Sequence, residues 1–307
     1  MPRDAITITG LRKHYGPVHA LKGIDLTVRQ GEFFGLLGPN GAGKSTLINI
    51  VAGLTRFNAG SVRVLGRDVI GEYQLSRRHL GVVPQEVVFD PFFTVREVLR
   101  IQSGYFGFGR NDAWIDELLD ALTLTEKADS NMRALSGGMK RRVMIAQALV
   151  HKPEVVVLDE PTAGVDVDLR KSLWAFIRRL HAQGHTIVLT THYLDEAESL
   201  CERIAILDRG ELIALDTTQA LLARGIGRTV RLSLTTEQPL AMLPPALAPK
   251  VRSVDGNRIE LELEKKTDSI IAVLDALRTA GIVITNLRME EADLEDVFVE
   301  LTRARVR

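Results

Sequence analysis

Short apolar runs alternate with amphipathic segments over about the first 215 residues, and this alternation predicts an α/β fold. The runs Val155–Asp159 and Thr186–Thr190 are almost wholly apolar, which is typical of central parallel strands covered on both faces. The other predicted strands are Ile6–Thr9, Ile24–Val28, Phe33–Leu37, Ser61–Val64 and Ile204–Leu207. The predicted helices are Lys44–Leu54, Val95–Ser103, Asp112–Leu122, Gly138–Val150 and Val167–His181.

After about residue 225 the pattern changes to that of a smaller domain. The proline-rich stretch Gln238–Lys250 predicts a loop between Val230–Leu234 and Ile259–Leu263, which alternate apolar and polar residues as half-exposed strands do. The elements predicted to follow are a helix from about Asp268 to Gly281, a strand at Ile282–Leu287 and a helix at Leu294–Leu301. We therefore expect an α/β domain at residues 1–222 and a small α+β domain, without a recognisable site, at residues 223–307.

The composition is that of an ordinary globular protein, with 45% hydrophobic and 25% charged residues. Lysine plus arginine equal aspartate plus glutamate, 39 against 39, so the chain as a whole is not drawn to nucleic acid or to an anionic membrane. The single cysteine, Cys201, cannot form an internal disulfide. No stretch approaches the roughly 20 apolar residues that span a bilayer. We expect a cytoplasmic protein with no nucleic-acid partner.

Residues 38–45 (GPNGAGKS) match the G-x-x-x-x-G-K-[ST] phosphate loop, between a predicted strand and a predicted helix. Glycines let the backbone curl so that N–H groups point at phosphates, and the helix N-terminus adds partial positive charge. We expect Lys44 to contact the β- and γ-phosphates and the Ser45 hydroxyl to bind magnesium. The candidate ATP-binding residues here are Gly38, Pro39, Asn40, Gly41, Ala42, Gly43, Lys44, Ser45 and Thr46.

Two acids, Asp159 and Glu160, follow the apolar run that begins at Val155. A buried strand does not tolerate paired acids at its end without a partner, and a magnesium ion with an attacking water would be one. Asp159 would then hold the metal's coordination shell, and Glu160 would orient or deprotonate the water. The alternative is a polar strand end exposed at the surface.

Further motifs stand in a fixed order around these two. The run Leu135–Met139 (LSGGM) opens a predicted helix about 20 residues before Val155. Together with Gln85, the run Ala163–Asp166, His192 and Tyr15, these motifs resemble those of the ATPase subunits of ABC transporters. The resemblance covers about residues 4–220.

This resemblance implies a P-loop NTPase of the ABC ATPase type. The fold is expected to have a mixed core sheet, an antiparallel β subdomain and a helical subdomain at about residues 86–150. The roles implied for single residues are adenine stacking by Tyr15, magnesium binding by Ser45, Gln85 and Asp159, a D-loop position for Asp166, and catalytic roles for Lys44, Gln85, Glu160 and His192. ATP and Mg²⁺ are the cofactors implied, and the activity is ATP hydrolysis.

The signature run is implied to act across a homodimer. Its residues, which are expected to face the γ-phosphate held by the other subunit, are Leu135, Ser136, Gly137, Gly138 and Met139. Ser136 and the N–H groups after it lie at a helix N-terminus, which is a ready anion site. Each ATP would lie between one phosphate loop and the opposite signature, so that binding closes the dimer and hydrolysis resets it.

Met139 stands where the commoner signature has glutamine, and Lys140, Arg141 and Arg142 follow. With the C-terminal extension, this resembles the ATPase subunits of ABC-2-type exporters, the drug-resistance and nodulation group, and among them the YadG-type subunits. The likeness implies a polytopic ABC-2-type permease as partner and a peripheral location on the cytoplasmic face of the inner membrane. The three basic residues are expected to form a solvated helix face rather than a nucleic-acid patch. The transported substrate is not encoded here.

Two questions stay open at this stage. The aromatic pair Phe92 and Phe93 either packs inside the helical subdomain or helps to line a groove for a short helix of the membrane partner. The chain could instead be a soluble ABC ATPase acting on the ribosome or on DNA, or a regulator that only binds ATP. One ATPase domain, no long coiled coil and no cysteine-rich module argue against the soluble class, and intact Glu160 and His192 argue against the regulator.

Overall fold

The computed structural model describes residues 4–163, 167–224, 229–238, 243–245, 247–264, 268–291 and 293–303. The chain divides into two compact units, Met1–Leu215 and Asp216–Arg307. The division between residues 215 and 216 lies before the predicted domain boundary, which followed residue 222. The helix Thr218–Arg224 therefore belongs to the second unit.

The elements of the first unit alternate between strands and helices, as the hydrophobic pattern predicts. Its strands are β1 (Asp4–Tyr15), β2 (Val18–Arg29), β3 (Phe33–Leu37), β4 (Ala59–Val64), β5 (Arg67–Asp68), β6 (Leu80–Val83), β7 (Val155–Asp159), β8 (Thr186–Thr190), β9 (Arg203–Asp208) and β10 (Glu211–Thr217), the last of which crosses the division. Its helices are α1 (Lys44–Val51), α2 (Tyr73–Arg78), α3 (Val95–Tyr105), α4 (Asp112–Ala121), α5 (Gly137–Leu149), α6 (Val167–Ala182) and α7 (Leu194–Leu200).

A six-stranded sheet in the order β10-β9-β3-β8-β7-β6 forms the centre of this unit, and β6, β7, β8, β3 and β9 run parallel. Every residue of β3, β7 and β8 is buried, which is why these three strands were predicted with their observed ends. Strand β6 was not predicted, because Gly81 interrupts its short apolar run. A Cβ at Gly81 would lie 2.3 Å from the Ala148 carbonyl oxygen, so the close approach of α5 requires glycine here.

A second sheet of the first unit is antiparallel, in the order β2-β1-β4-β5. The buried residues of β1, β2 and β4 share one hydrophobic core with α1 and with the six-stranded sheet. The predicted strands Ile6–Thr9 and Ile24–Val28 are parts of the longer β1 and β2. Beyond Ile8 the pairing of β1 with β2 is irregular, and apolar and polar residues no longer alternate. The rest of each strand therefore could not be predicted from a period of two.

The helices α3, α4 and α5 form the helical part of the first unit. Helix α3 begins with a complete capping box between Thr94 and Glu97. The Trp114 indole nitrogen donates a hydrogen bond to the Leu149 carbonyl oxygen at 3.0 Å and ties α4 to the end of α5. A core sheet, a separate antiparallel sheet and a helical part are the three components that the sequence predicted for this unit.

The second unit contains α8 (Thr218–Arg224), β11 (Thr229–Thr236), β12 (Val251–Asp255), β13 (Arg258–Glu264), α9 (Ile270–Thr279), β14 (Ile284–Glu291) and α10 (Leu294–Arg303). Its sheet has the order β12-β13-β11-β14, and apolar residues of β11, β13 and α9 form its core. Strand β12 was not predicted, because four of its five side chains are exposed and no buried face marks it. Within the described parts of both units, no helix has the length and apolar character that a membrane span needs.

Candidate functional site

The phosphate loop connects β3 to α1 and is held in place by close backbone contacts. A Cβ at Gly38 would lie 2.3 Å from the Leu207 carbonyl oxygen, and one at Gly43 would lie 2.7 Å from the Ala20 carbonyl oxygen. Only glycine fits between these neighbours, so packing requires glycine at positions 38 and 43. The loop borders a cavity of about 760 Å³. The residues that line this cavity are Val18, His19, Ala20, Lys22, Asn40, Gly41, Ala42, Gly43, Lys44, Ser45, Thr46, Gln85, Glu160 and Arg209.

The Lys44 side chain folds back over this loop. Its Nζ donates hydrogen bonds to the carbonyl oxygens of Gly38 at 2.6 Å and Pro39 at 3.2 Å. Burial lowers the pKa of Lys44, while the charges of Glu160 and Asp159 oppose that shift. The ammonium group is thus held at the loop by neutral carbonyl acceptors, which an anionic phosphate can replace.

The two carboxylates lie where β7 ends beside β8. The Thr190 hydroxyl donates to Asp159 Oδ1 at 2.5 Å, and the Glu160 N–H donates to Thr190 Oγ1 at 3.0 Å and to its carbonyl oxygen at 3.1 Å. Glu160 has a φ of +50°, a left-handed conformation that is costly for a residue with a side chain. The bonds to Thr190 hold this turn and direct the Glu160 side chain into the cavity.

Glu160 is the centre of the site's side-chain contacts. Its Oε2 accepts a hydrogen bond from Gln85 Nε2 at 2.8 Å, and its Oε1 lies 2.6 Å from His192 Nε2. The Glu160 side chain is only 8% exposed, whereas His192 is 46% exposed. A buried carboxylate between an amide and an imidazole, at the edge of a phosphate-binding cavity, can orient a water molecule and accept its proton.

A magnesium ion was expected at Ser45, Gln85 and Asp159. These residues offer hydroxyl, amide and carboxylate oxygen atoms, the hard donors that Mg²⁺ takes. The described residues contain no cluster of three or more His, Cys, Asp or Glu side chains that could hold a metal. Ser45 and Gln85 line the cavity, whereas Asp159 does not. So few oxygen donors fit an ion that keeps several waters and binds through phosphates, and they do not fit an ion enclosed wholly by protein.

Two groups of predicted site residues, the signature run and Tyr15, do not line this cavity. The Ser136 side chain caps α5 by accepting a hydrogen bond from the Met139 N–H at 3.3 Å, and no residue of the run Leu135–Met139 lines the cavity. Tyr15 is 49% exposed at the end of β1 beside Lys13, whose Nζ lies 4.3 Å from the ring centroid. Asp166 lies outside the described residues.

The expectation that the three basic residues after the signature are solvated is wrong for Arg141. This residue is only 4% exposed, because it lies on the inner face of α5, and its guanidinium donates to carbonyl oxygens on both sides of the site. Lys140 is half-buried with its Nζ 4.1 Å from the Phe89 ring centroid. Arg209 lines the cavity and was also missed, since it follows β9 without any motif.

Comparisons with known proteins agree with this geometry. The family model described as ABC transporter matches residues 21–163. The Nod factor export ATP-binding protein I of Ralstonia nicotianae is 38% identical over 306 residues, covering 98% of this chain and 95% of that protein. The linearmycin resistance ATP-binding protein LnrL of Bacillus subtilis is 36% identical over 299 residues, covering 95% and 96%.

Solved structures with the same fold are also similar in sequence. An ATP-binding subunit of an ABC transporter superposes with a TM-score of 0.68 at 29% identity, covering 73% of this chain and 93% of that one. A dimeric ATP-binding cassette in a post-hydrolysis state, bound to ADP and Pi, superposes with a TM-score of 0.65 at 27% identity, covering 69% and 98%. This chain therefore belongs to the ABC transporter family of ATP-binding, ATP-hydrolysing proteins.

Proposed function

We propose that this chain is the ATP-hydrolysing subunit of an exporter whose membrane-spanning part is a separate protein. The observation that carries the hydrolytic part of the proposal is the contact of Glu160 with both Gln85 and His192 beside the phosphate loop. Relatives that match nearly the whole chain include Nod factor export and linearmycin resistance ATP-binding proteins, which favours export over uptake. A regulator that only binds ATP would not need this arrangement around Glu160.

In the proposed reaction, the loop N–H groups and Lys44 bind the phosphates of ATP, and the carboxylate of Glu160 orients a water molecule and takes its proton. His192 and Gln85 hold that carboxylate from two sides and thereby fix its direction. Ser45, Gln85 and Asp159 would hold magnesium, which would neutralise developing charge on the phosphate oxygens. Tyr15 would close the nucleotide site on the adenine side, where Val18, its partner across the β1–β2 turn, lines the cavity.

The proposed active form is a homodimer. Ser136 and Gly137, at the N-terminus of α5, are exposed and do not line this chain's own phosphate cavity, so they are free to complete the cavity of a second copy. A related cassette is dimeric with ADP and Pi bound, which supports the same arrangement here. Neither subunit alone would then surround the γ-phosphate with donors. Asp166 would lie at this interface as the D-loop residue.

The proposed docking site for the permease is a groove in the first unit. It has a volume of about 340 Å³ and is lined mainly by apolar residues, including Val88, Phe106 and Met144, with Pro84 of the loop that carries Gln85. Phe92 and Phe93 do not line this groove, although they are 77% and 37% exposed. Their role in docking stays a prediction. Intact complex assembly and transport in the Phe92→Ser and Phe93→Ser variants would refute that role. The partner would be an ABC-2-type permease, holding this chain on the cytoplasmic face of the inner membrane.

Co-purification tests the proposal directly. The Glu160→Gln variant is tagged, membranes are solubilised with ATP and magnesium present, and the recovered proteins are identified. A polytopic membrane protein in near-equal amount is the expected result. Recovery of ribosomes or DNA-bound proteins, or of the chain alone from the soluble fraction, would contradict the transporter role and favour a soluble ABC ATPase.

A further inference from the structure

Arg141 is not among the site residues that the family resemblance implied, yet its guanidinium contacts the main chain of both Gln85 and Glu160. It falls in the second turn of α5, five residues after Ser136, which caps that helix. Helical spacing places it on the same inward face as Ile145 and Ala148, and both are buried. Its neighbours Lys140 and Arg142 are half-buried, so Arg141 is the one member of this basic run whose charge is enclosed.

All five N–H groups of the Arg141 guanidinium have acceptors. Nη1 donates to the carbonyl oxygens of Pro84 at 2.5 Å and Gln85 at 2.8 Å. Nη2 donates to those of Asp159 at 2.8 Å and Glu160 at 2.6 Å, and Nε donates to that of Pro161 at 3.3 Å. Every acceptor is a main-chain oxygen. The guanidinium therefore bridges two chain segments that are 74 residues or more apart in sequence, since Asp159 follows Gln85 by that number.

One of these segments carries the side chain of Gln85, and the other carries the side chain of Glu160. Gln85 and Glu160 approach each other at 2.8 Å through their side chains and share the Arg141 guanidinium through their carbonyl oxygens. The planar fork of arginine can serve both carbonyl pairs at once, which a lysine ammonium on a flexible stem cannot do. The bridge has a fixed length, so it sets the distance between the main chains from which the two side chains extend.

The charge of Arg141 is also matched to this position. Burial lowers the pKa of Arg141, and the nearby carboxylates of Asp159 and Glu160 oppose that shift. Arginine stays protonated in proteins, so a positive charge lies behind the two acids without forming an ion pair with either. Hydrogen bonds from a charged donor to a neutral carbonyl are stronger than those between neutral groups. The Glu160 side chain therefore still lines the cavity while its main chain is held by Arg141.

We propose that Arg141 is a positioning residue for ATP hydrolysis, which fixes the Gln85 segment and the Glu160 segment relative to each other through their main-chain carbonyl groups. It does not touch the nucleotide site, because it does not line the phosphate cavity. Its loss should therefore lower kcat and leave ATP binding nearly unchanged. A group held about 1 Å out of place costs on the order of 100-fold in rate, so we expect a fall of about 10- to 100-fold in kcat.

The test uses the full chain with ATP and magnesium and compares Arg141→Lys with Arg142→Lys. Arg142 is a matched control on the same helix, because its Nη1 also donates to main-chain carbonyls, those of Leu122 at 2.8 Å and Thr123 at 3.1 Å, away from the cavity. We expect Arg141→Lys to lower kcat at least tenfold with KM and the ATP Kd within about threefold. Arg142→Lys should change kcat less than about twofold. Both variants are assayed below their measured Tm.

A second measurement separates positioning from a purely structural role. If Arg141 acts partly through Gln85, its effect on kcat should be at least about threefold smaller in a Gln85→Ala background. Full additivity in this cycle, or equal loss of rate and ATP binding, would overturn the proposal. If Arg141→Lys does not fold, Arg141→Gln is examined in the same way. Failure of both to fold would make Arg141 a folding requirement and reject the positioning role.

Discussion

Replacing Glu160 by Gln tests the centre of the site with the smallest change in shape. The amide keeps the volume of the carboxylate, and its oxygen can still accept a hydrogen bond from Gln85, which lies 2.8 Å away. What is lost is the negative charge and the ability to take a proton from water. General base catalysis contributes about 100- to 10,000-fold, so kcat should fall by that factor, or by about 2.7 to 5.4 kcal/mol of barrier.

The variant should still bind ATP, because the phosphate loop and Lys44 are unchanged. Phosphate release gives the rate, calorimetry gives the ATP Kd, and sedimentation with ATP and magnesium detects an accumulated dimer. The matched control is Glu154→Gln, just before β7, where the exposed carboxylate pairs with His79 at 2.8 Å. Its rate should stay native. Hydrolysis by the Glu160→Gln variant within about threefold of native would refute the base role and the reasoning from the His192 and Gln85 contacts.

Three further results are expected. Lys44→Ala removes a charged donor worth about 1.5–3 kcal/mol, so calorimetry should show ATP binding weakened about 10- to 100-fold, and tight binding would contradict the phosphate-loop role. Gly38→Ala places a Cβ 2.3 Å from the Leu207 carbonyl oxygen and should lower the urea-measured free energy of unfolding by about 1–3 kcal/mol, whereas Gly104→Ala, with open space around it, should not. Burial lowers the pKa of His151 to about 4, so the unfolded state takes up the proton first and stability is lost as the pH falls below about 6.5. Relative to His151→Gln, the native chain should lose about 2 kcal/mol between pH 7 and pH 5, and equal slopes would show that the histidine is not held neutral.

The parts of this protein that could be predicted from sequence are those in which one segment determines its own environment. Strands β3, β7 and β8 were predicted to the residue, because burial on both faces makes each of them continuously apolar. The phosphate loop was predicted because residues 38–45 carry a motif of fixed spacing within one segment. Strand β12 and Gly81 in β6 escaped prediction, since the first has no buried face and the second is shaped by α5 rather than by its own strand.

The tertiary structure alone decided which distant groups meet. Sheet order places Asp159 beside Thr190 and brings Glu160 within reach of Gln85 and His192, and no pattern along the chain records those distances. Arg141 shows the limit most clearly. A run of three basic residues at the start of a helix is typical of a solvated face. Helical spacing nevertheless points Arg141 inward, where it donates hydrogen bonds to carbonyl oxygens of two other segments. The spacing of apolar residues along the chain indicates which positions share a buried face. Which residues they contact there depends on how all the elements pack.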